Sequence, residues 1–306
     1  MSPSTHVPLK TLNLIFARLE LQVGRVVGRT RLLKSVAMDD PESGYHEIIP
    51  DAFSSLDEAR NSMDHLWIVI FRSLSPISWD GYEQKITQEV LMSINMTMSR
   101  SAMRLKQWSK AFETFLRRKR LDLEESSQIC IHTLRMQVLM AHIHMNIDYL
   151  AADYDEGVWT PFAQEFGMMI SHAMFVIKLT NNNSLSGRPK PRFSIDDGII
   201  HPLYHAATKC RRRSIRHKAL SILKAIPLQE GILNSMLAAR VAERVVTIEE
   251  EGLEDVSCYN EIPNSSCVAG VEVNFEPNFK RASVKFHMWR GRGGDERRQI
   301  EECIEW

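Results

Sequence analysis

The chain has 306 residues with 38 basic and 38 acidic side chains and no net charge at pH 7. That balance excludes a protein that works by blanketing a polyanion, so any nucleic-acid contact has to be a local patch. An apolar fraction of 44% excludes wholesale disorder, and the length suffices for a large core in one big helical domain or two smaller ones.

The opening, "MSPSTHVPLKTL", lacks the basic start and unbroken apolar run of a signal peptide. The longest apolar stretches, such as Leu66–Phe71, are far too short to cross a bilayer. The expectation is a soluble intracellular protein with no membrane partner. Cys130, Cys210, Cys258, Cys267 and Cys303 are scattered, odd in number and without a C-x-x-C pair, which indicates neither a disulfide framework nor a zinc–thiolate site. Without a secretory route, the N-x-S/T triplets at Asn95 and Asn264 carry no expectation of glycosylation.

Helical periodicity dominates. Leu9, Leu12, Phe16, Leu19 and Val23 form a first apolar stripe, followed by a polar loop with Asp39, Asp40, Pro41 and Gly44. Ser55 and Glu58 have the capping-box spacing and open a second helix, "SSLDEARNSMDHLWIVIF". From Tyr82 to about Lys119 the text is helical with a break inside it, and Trp108, Ala111, Phe112 and Phe115 share one face. Within that stretch the Met-rich run Val90–Met103 reads as core filler, with an adaptable pocket as the alternative. Further helices are expected at about Leu123–Leu150 and Pro161–Thr180. Asn181–Gly198, polar with Gly, two Pro and three consecutive Asn, reads as a linker.

Three helices follow it. Leu203, Ala206, Ala207 and Cys210 mark the first; Ile215, Ala219, Ile222, Leu223 and Ile226 mark the second, ended by Pro227 and Gly231; Leu233, Leu237, Val241, Val245 and Ile248 mark the third. Turns this short between amphipathic helices predict antiparallel neighbours. The tail changes period. Val271, Val273 and Phe275 alternate with polar residues, as do Ala282, Val284, Phe286 and Met288, with Pro277 and Asn278 between them, which predicts a short β-hairpin. "WRGRGGDERR" after it reads as a flexible charged turn, since it lacks both the P-loop and the dinucleotide-loop spacing. No internal repeat is evident.

The fold class expected is thus all-α, an antiparallel helical bundle or array with a short C-terminal β-hairpin. Residues 1–180 form the first part of a helical regulatory domain, 181–198 a linker loop, 199–256 a helical hairpin region packing on the first part, and 257–306 the hairpin and tail.

The usual chemistry is absent from the text. His142 and His144 are two apart and point to opposite sides of a helix; His144 and Asp148 lack a third ligand; both histidines read as ordinary helix residues. There is no H-E-x-x-H and no G-x-S-x-G. Cys210 lies on an apolar stripe and reads as a buried thiol. No catalytic, cofactor-binding or metal residue is assigned, no cofactor is called for, and the chain is not expected to be an enzyme.

The basic run Lys209, Arg211, Arg212, Arg213, Arg216 and Lys218 is the sharpest local feature. With Ile215, Ala219, Ile222 and Ile226 as the buried line, its cations are placed on the outside with their stems on the core edge, where they can pair with the carboxylate run Glu249–Asp255. A nuclear-import signal and a nonspecific phosphate contact are the alternatives.

The same stretch, His201–Gly252, resembles the C-terminal part of the regulatory domain of fungal zinc-cluster transcription factors, those with two zincs held by six cysteines. Pro202, Leu203, Lys209, Cys210, Arg211, Ile215, Arg216, Ala219, Leu220, Pro227, Glu230, Gly231, Ile248, Glu249 and Glu250 fit that pattern. Leu12–Gln22, Ile49–Arg60 and Arg104–Glu113 resemble earlier pieces of the same domain. The six-cysteine cluster itself is missing, and Arg212 and Arg213 stand where the family carries an acidic residue and Pro. The resemblance implies a helical regulatory domain in the nucleus that controls transcription, of a metabolic or secondary-metabolite gene cluster, through protein contacts. The partners implied are proteins of the transcription machinery and a homo- or heterodimer mate, without direct sequence-specific DNA contact by this chain. A small-molecule sensor or scaffold domain is the alternative reading.

Overall fold

A computed structural model describes residues 48–74, 87–119, 124–148, 155–182, 192–194, 198–253, 262–276, 280–288 and 298–306. The first apolar stripe, Leu9–Val23, the loop after it and Cys258 lie outside the described residues, as does the charged segment 289–297.

Among the described residues there are seven α-helices: α1 Leu56–Leu74, α2 Gln88–Arg118, α3 Glu125–Asn146, α4 Ala163–Asn182, α5 Ile200–Lys209, α6 Arg213–Ala225 and α7 Ser235–Glu250. A 3-10 helix, Glu156–Phe162, leads into α4. None of these helices is long and apolar enough to cross a membrane. Strands β1 Arg192–Ser194, β2 Leu228–Glu230 and β3 Leu233–Asn234 make a small sheet, with β1 parallel to β2 and β2 antiparallel to β3. Strands β4 Val268–Phe275, β5 Arg281–Met288 and β6 Gln299–Glu305 make a C-terminal antiparallel sheet in that order.

The start of α1 follows the capping-box logic with one displacement. Ser55 accepts from the Glu58 amide at 3.1 Å, but the Glu58 carboxylate returns to Ser54, accepting from its backbone N–H and its hydroxyl at 2.6 Å each. Helix α2 runs 31 residues from the Thr87 cap and is continuous within those bounds; residues 82–86, the start of the stretch expected to be helical with a break inside it, lie outside the described residues. The stripe Ile94, Met98, Ser101, Leu105, Trp108, Ala111, Phe112 and Phe115 stays buried along its length. It packs on α1 and α3.

Helix α3 is wrapped by α1, α2 and α4, which is why its burial is spread around several faces. Helices α5 and α6 pack on each other and on α4, and α7 packs on both. The main core runs from Phe53 to Val246 through all seven helices. A second cluster joins Leu237, Val241, Val245 and Ile248 of α7 to Val273, Val284, Phe286 and Ile304 of the C-terminal sheet.

The expected hairpin is present as β4 and β5, but it is two-thirds of a sheet. β6 pairs along β5 from His287↔Gln299 to Arg281↔Glu305. Its residues alternate Ile300 and Ile304 with glutamates, too weak an apolar signal to announce a strand. Its pairing is made by distant partners. Glu302 accepts from the Arg244 guanidinium of α7 at 2.8 and 2.7 Å, and Glu301 accepts from the Ser283 hydroxyl at 2.7 Å.

Candidate functional site

The arginine-rich bend between α5 and α6 does not lie on the outside. Arg211 is 2% exposed and Arg216 0%. They are held by two fully buried carboxylates, Glu156 at the start of the 3-10 helix and Glu249 near the end of α7. Arg211 donates to Glu156 at 2.7 Å and to both oxygens of Glu249 at 3.4 Å; Arg216 pairs with Glu249 and donates to the Ala207 carbonyl at 2.9 Å. Lys209 reaches the same Glu156 at 3.1 Å, donates to the Val268 and Ala269 carbonyls, and lies over the Trp159 ring. Glu249 also accepts from the Val268 amide at 2.8 Å. Burial alone would favour the neutral guanidinium, but Glu249 and Glu156 outweigh it and raise the Arg211 pKa above its ordinary value.

The outward placement of these cations is therefore corrected for Lys209, Arg211 and Arg216. The expected pairing with the carboxylate run at the end of α7 does occur, and outside the core it includes Arg213 and His217 on Glu250 at 2.7 and 3.1 Å. The buried face of α6 is centred on Ala219 and Leu223 rather than on Ile215 and Ile226. Arg216 stands on the same stripe as Leu220 and Leu223, at four and seven residues, so the wheel places it inward once that centre is used. Cys210 is wholly buried and its thiol pKa is raised by burial, an environment unsuited to a nucleophile. Cys267, beside Arg211, is pushed up to about 12 by burial.

His142 and His144 do point apart. His142 is exposed and approaches Glu165 at 3.7 Å, whereas His144 is buried among the rings of Trp67, Phe71, Trp159 and His205. Among the described residues no group of three or more His, Cys, Asp or Glu side chains is placed to share a metal. The Met-rich part of α2 is divided, with Met98 buried and Met92, Met96 and Met103 facing outward. None of these methionines lines the principal cavity.

That cavity has a volume of about 720 Å³ and opens between α1, α3, α4, α6 and the small sheet. Leu134 of α3, Val176 and Ile177 of α4, Ile222 of α6 and Ile226 just past its end give it apolar walls. Arg60 and Asp64 of α1 and Cys130, Thr133 and Gln137 of α3 supply polar atoms, and Lys178 and Lys218 reach it from exposed positions. Arg60 donates to the Cys130 sulfur at 3.0 Å, and Thr133 is turned back on the Ile129 carbonyl. Gln137 is 93% buried, and its side-chain oxygen has no hydrogen-bond partner.

The floor is set by a capping device. Ile199, at the N-cap of α5, offers no side-chain acceptor. Instead Glu230 of β2, itself buried, accepts from the amides of Gly198, Ile199 and Ile200 at 3.1, 2.8 and 3.0 Å. A carboxylate at a helix N-terminus satisfies orphan donors and faces the positive end of the dipole. Gly198 is required there, because a Cβ would collide with the Glu230 carboxylate. Gly231 turns the hairpin that carries Glu230, with φ of 54°, and its amide donates to the Ser194 carbonyl at 2.6 Å, which ties β1 to the same floor.

Neither the cavity nor the Glu230 cap was anticipated from the sequence; the only prior signal was the pairing of Glu230 and Gly231 in one family-like pattern. Compared with protein-family models, with characterised proteins and with solved structures, the chain matches none.

Proposed function

We propose that the chain is a regulatory module of transcription, of the type that accompanies the zinc cluster in fungal transcription factors, built as an antiparallel helical bundle. It acts in the nucleus through contacts with proteins of the transcription machinery, as a monomer or paired with a second subunit, and governs a metabolic or secondary-metabolite gene cluster. It carries no catalytic step.

One observation supports this reading above the others. The residues that carry the resemblance have non-interchangeable jobs in this fold: Lys209, Arg211, Arg216 and Glu249 form the buried ion lattice, and Glu230 caps α5. A pattern retained for such jobs is a pattern of architecture, which is what a resemblance in packing positions conveys. The test is a deletion strain of a fungal host that encodes the chain, together with a fluorescent fusion. The expected outcome is nuclear fluorescence and altered transcripts of a defined gene set. A fusion confined to the cytosol, with transcripts unchanged on deletion, overturns the proposal.

A second reading, a small-molecule sensor, is favoured by the cavity of about 720 Å³ with its apolar walls and few convergent polar groups. The two readings are compatible, since a sensor that closes on a ligand is one way to govern a protein contact.

A further inference from the structure

We infer that the cavity between α1, α3, α4 and α6 binds an amphipathic organic acid: an apolar body of chain or ring character, an internal polar group, and a carboxylate at the mouth. The inference rests on the sensor reading and not on the transcriptional one.

Three features of the wall select this class. First, Leu134, Val176, Ile177 and Ile222 present hydrocarbon to a space of about 720 Å³, within the range of small-molecule sites. Second, the Gln137 amide stands in that wall nine-tenths buried with an unsatisfied oxygen. A buried polar atom left without a partner costs roughly 1–3 kcal/mol, so a hydroxyl or amide of a ligand lodged beside it recovers what folding gave up. Third, the rim is cationic. Lys178 and Lys218 approach from α4 and α6, and among the described residues no carboxylate pairs with either ammonium. Among the described residues the cavity's carboxylates do not cancel them: Glu230 is turned to three backbone amides at the start of α5, and Asp64 is buried on the α1 side. An anionic head group is therefore drawn to the rim while the body enters the apolar space.

The test uses the purified chain, so that its outcome is independent of transcription. The probes are 10-hydroxydecanoate and its methyl ester, followed by calorimetric titration and thermal melting. The acid is expected to bind and to raise the melting temperature, with the ester about tenfold weaker because it lacks the charge drawn by the rim. Lys178→Gln with Lys218→Gln removes the preference for acid over ester and leaves the melting temperature of the free protein unchanged. Gln137→Leu separates binding from folding: the free protein melts higher, because an unsatisfied buried amide is gone, yet the acid binds less tightly. No binding of the acid overturns the inference. Equal affinity for acid and ester also overturns it, as does a Gln137→Leu protein that binds the acid undiminished. A null transcriptional phenotype leaves the inference standing, and a null titration leaves the transcriptional proposal standing.

Discussion

His132 of α3 and His172 of α4 face each other with their Nδ1 atoms 2.8 Å apart, and Phe175 stacks on the His132 ring at 4.1 Å. One nitrogen donates and the other accepts, so the contact requires at least one neutral ring. Burial, with His172 and Arg135 adding to it, pulls the His132 pKa down to about 4, and burial lowers His172 as well. A histidine with a depressed folded pKa binds fewer protons than the unfolded chain between that value and the ordinary one near 6.5. Stability is then complete above pH ~6.5 and declines as pH falls toward about 4, where the loss levels off. Urea midpoints between pH 7.5 and 4 should show that decline. A protein carrying His132→Phe and His172→Phe should show a flatter profile over the same window, and an unchanged slope in that variant would contradict the assignment. The contact joins residues 40 apart in sequence, and neither it nor the burial that lowers both rings is displayed by any window of sequence. The same is true of Arg211 and Glu156, 55 residues apart. Arg216 is a different case, because its inward position was available on its own helix, in Leu220 and Leu223.

At the scale of elements, α5 shows how a helix with a weak local start is made to begin at one place. Pro202 sits in its first turn, where a missing N–H costs nothing. The cap comes from another element, β2, through Glu230. Replacing Glu230 by Gln removes the charge at the dipole and should cost about 1–2 kcal/mol. Gly198→Ala should cost a similar amount by displacing the same carboxylate. The two losses should not add: once either substitution has broken the cap, the second has little left to break. A double-mutant cycle in urea measures this, and additive losses would show that Gly198 acts by some route other than Glu230. Helices α5, α6 and α7 were legible because each is amphipathic, and α1 because its start carries the Ser55 and Glu58 capping spacing. The presence of β6 was not. A strand whose apolar signal is Ile300 and Ile304 set among glutamates takes its stability from partners outside its own segment.

At the scale of the molecule, α7 belongs to both clusters. Ala239, Ala242 and Val246 enter the main core, while Leu237, Val241, Val245 and Ile248 meet the C-terminal sheet. The ion lattice crosses the same junction, with Glu249 of α7 holding Arg211, Arg216 and the Val268 amide of β4. Burying five charges is expensive unless each is paired, and removing one partner of a buried ion pair typically costs 3–5 kcal/mol because the other is left uncompensated. Glu249 compensates two arginines on one side and a strand amide on the other, so its loss cannot be confined to a single element. Glu249→Gln should therefore lower the amide-exchange protection of Phe286 in β5 and of Leu203 in α5 together, each by about 3 kcal/mol. In the unmodified chain those two amides should open with the same free energy, since no boundary between helices and sheet is free of shared core or shared charge. Protection lost in β5 alone would mean that the sheet is an appendage and that the lattice does not couple it to the helices.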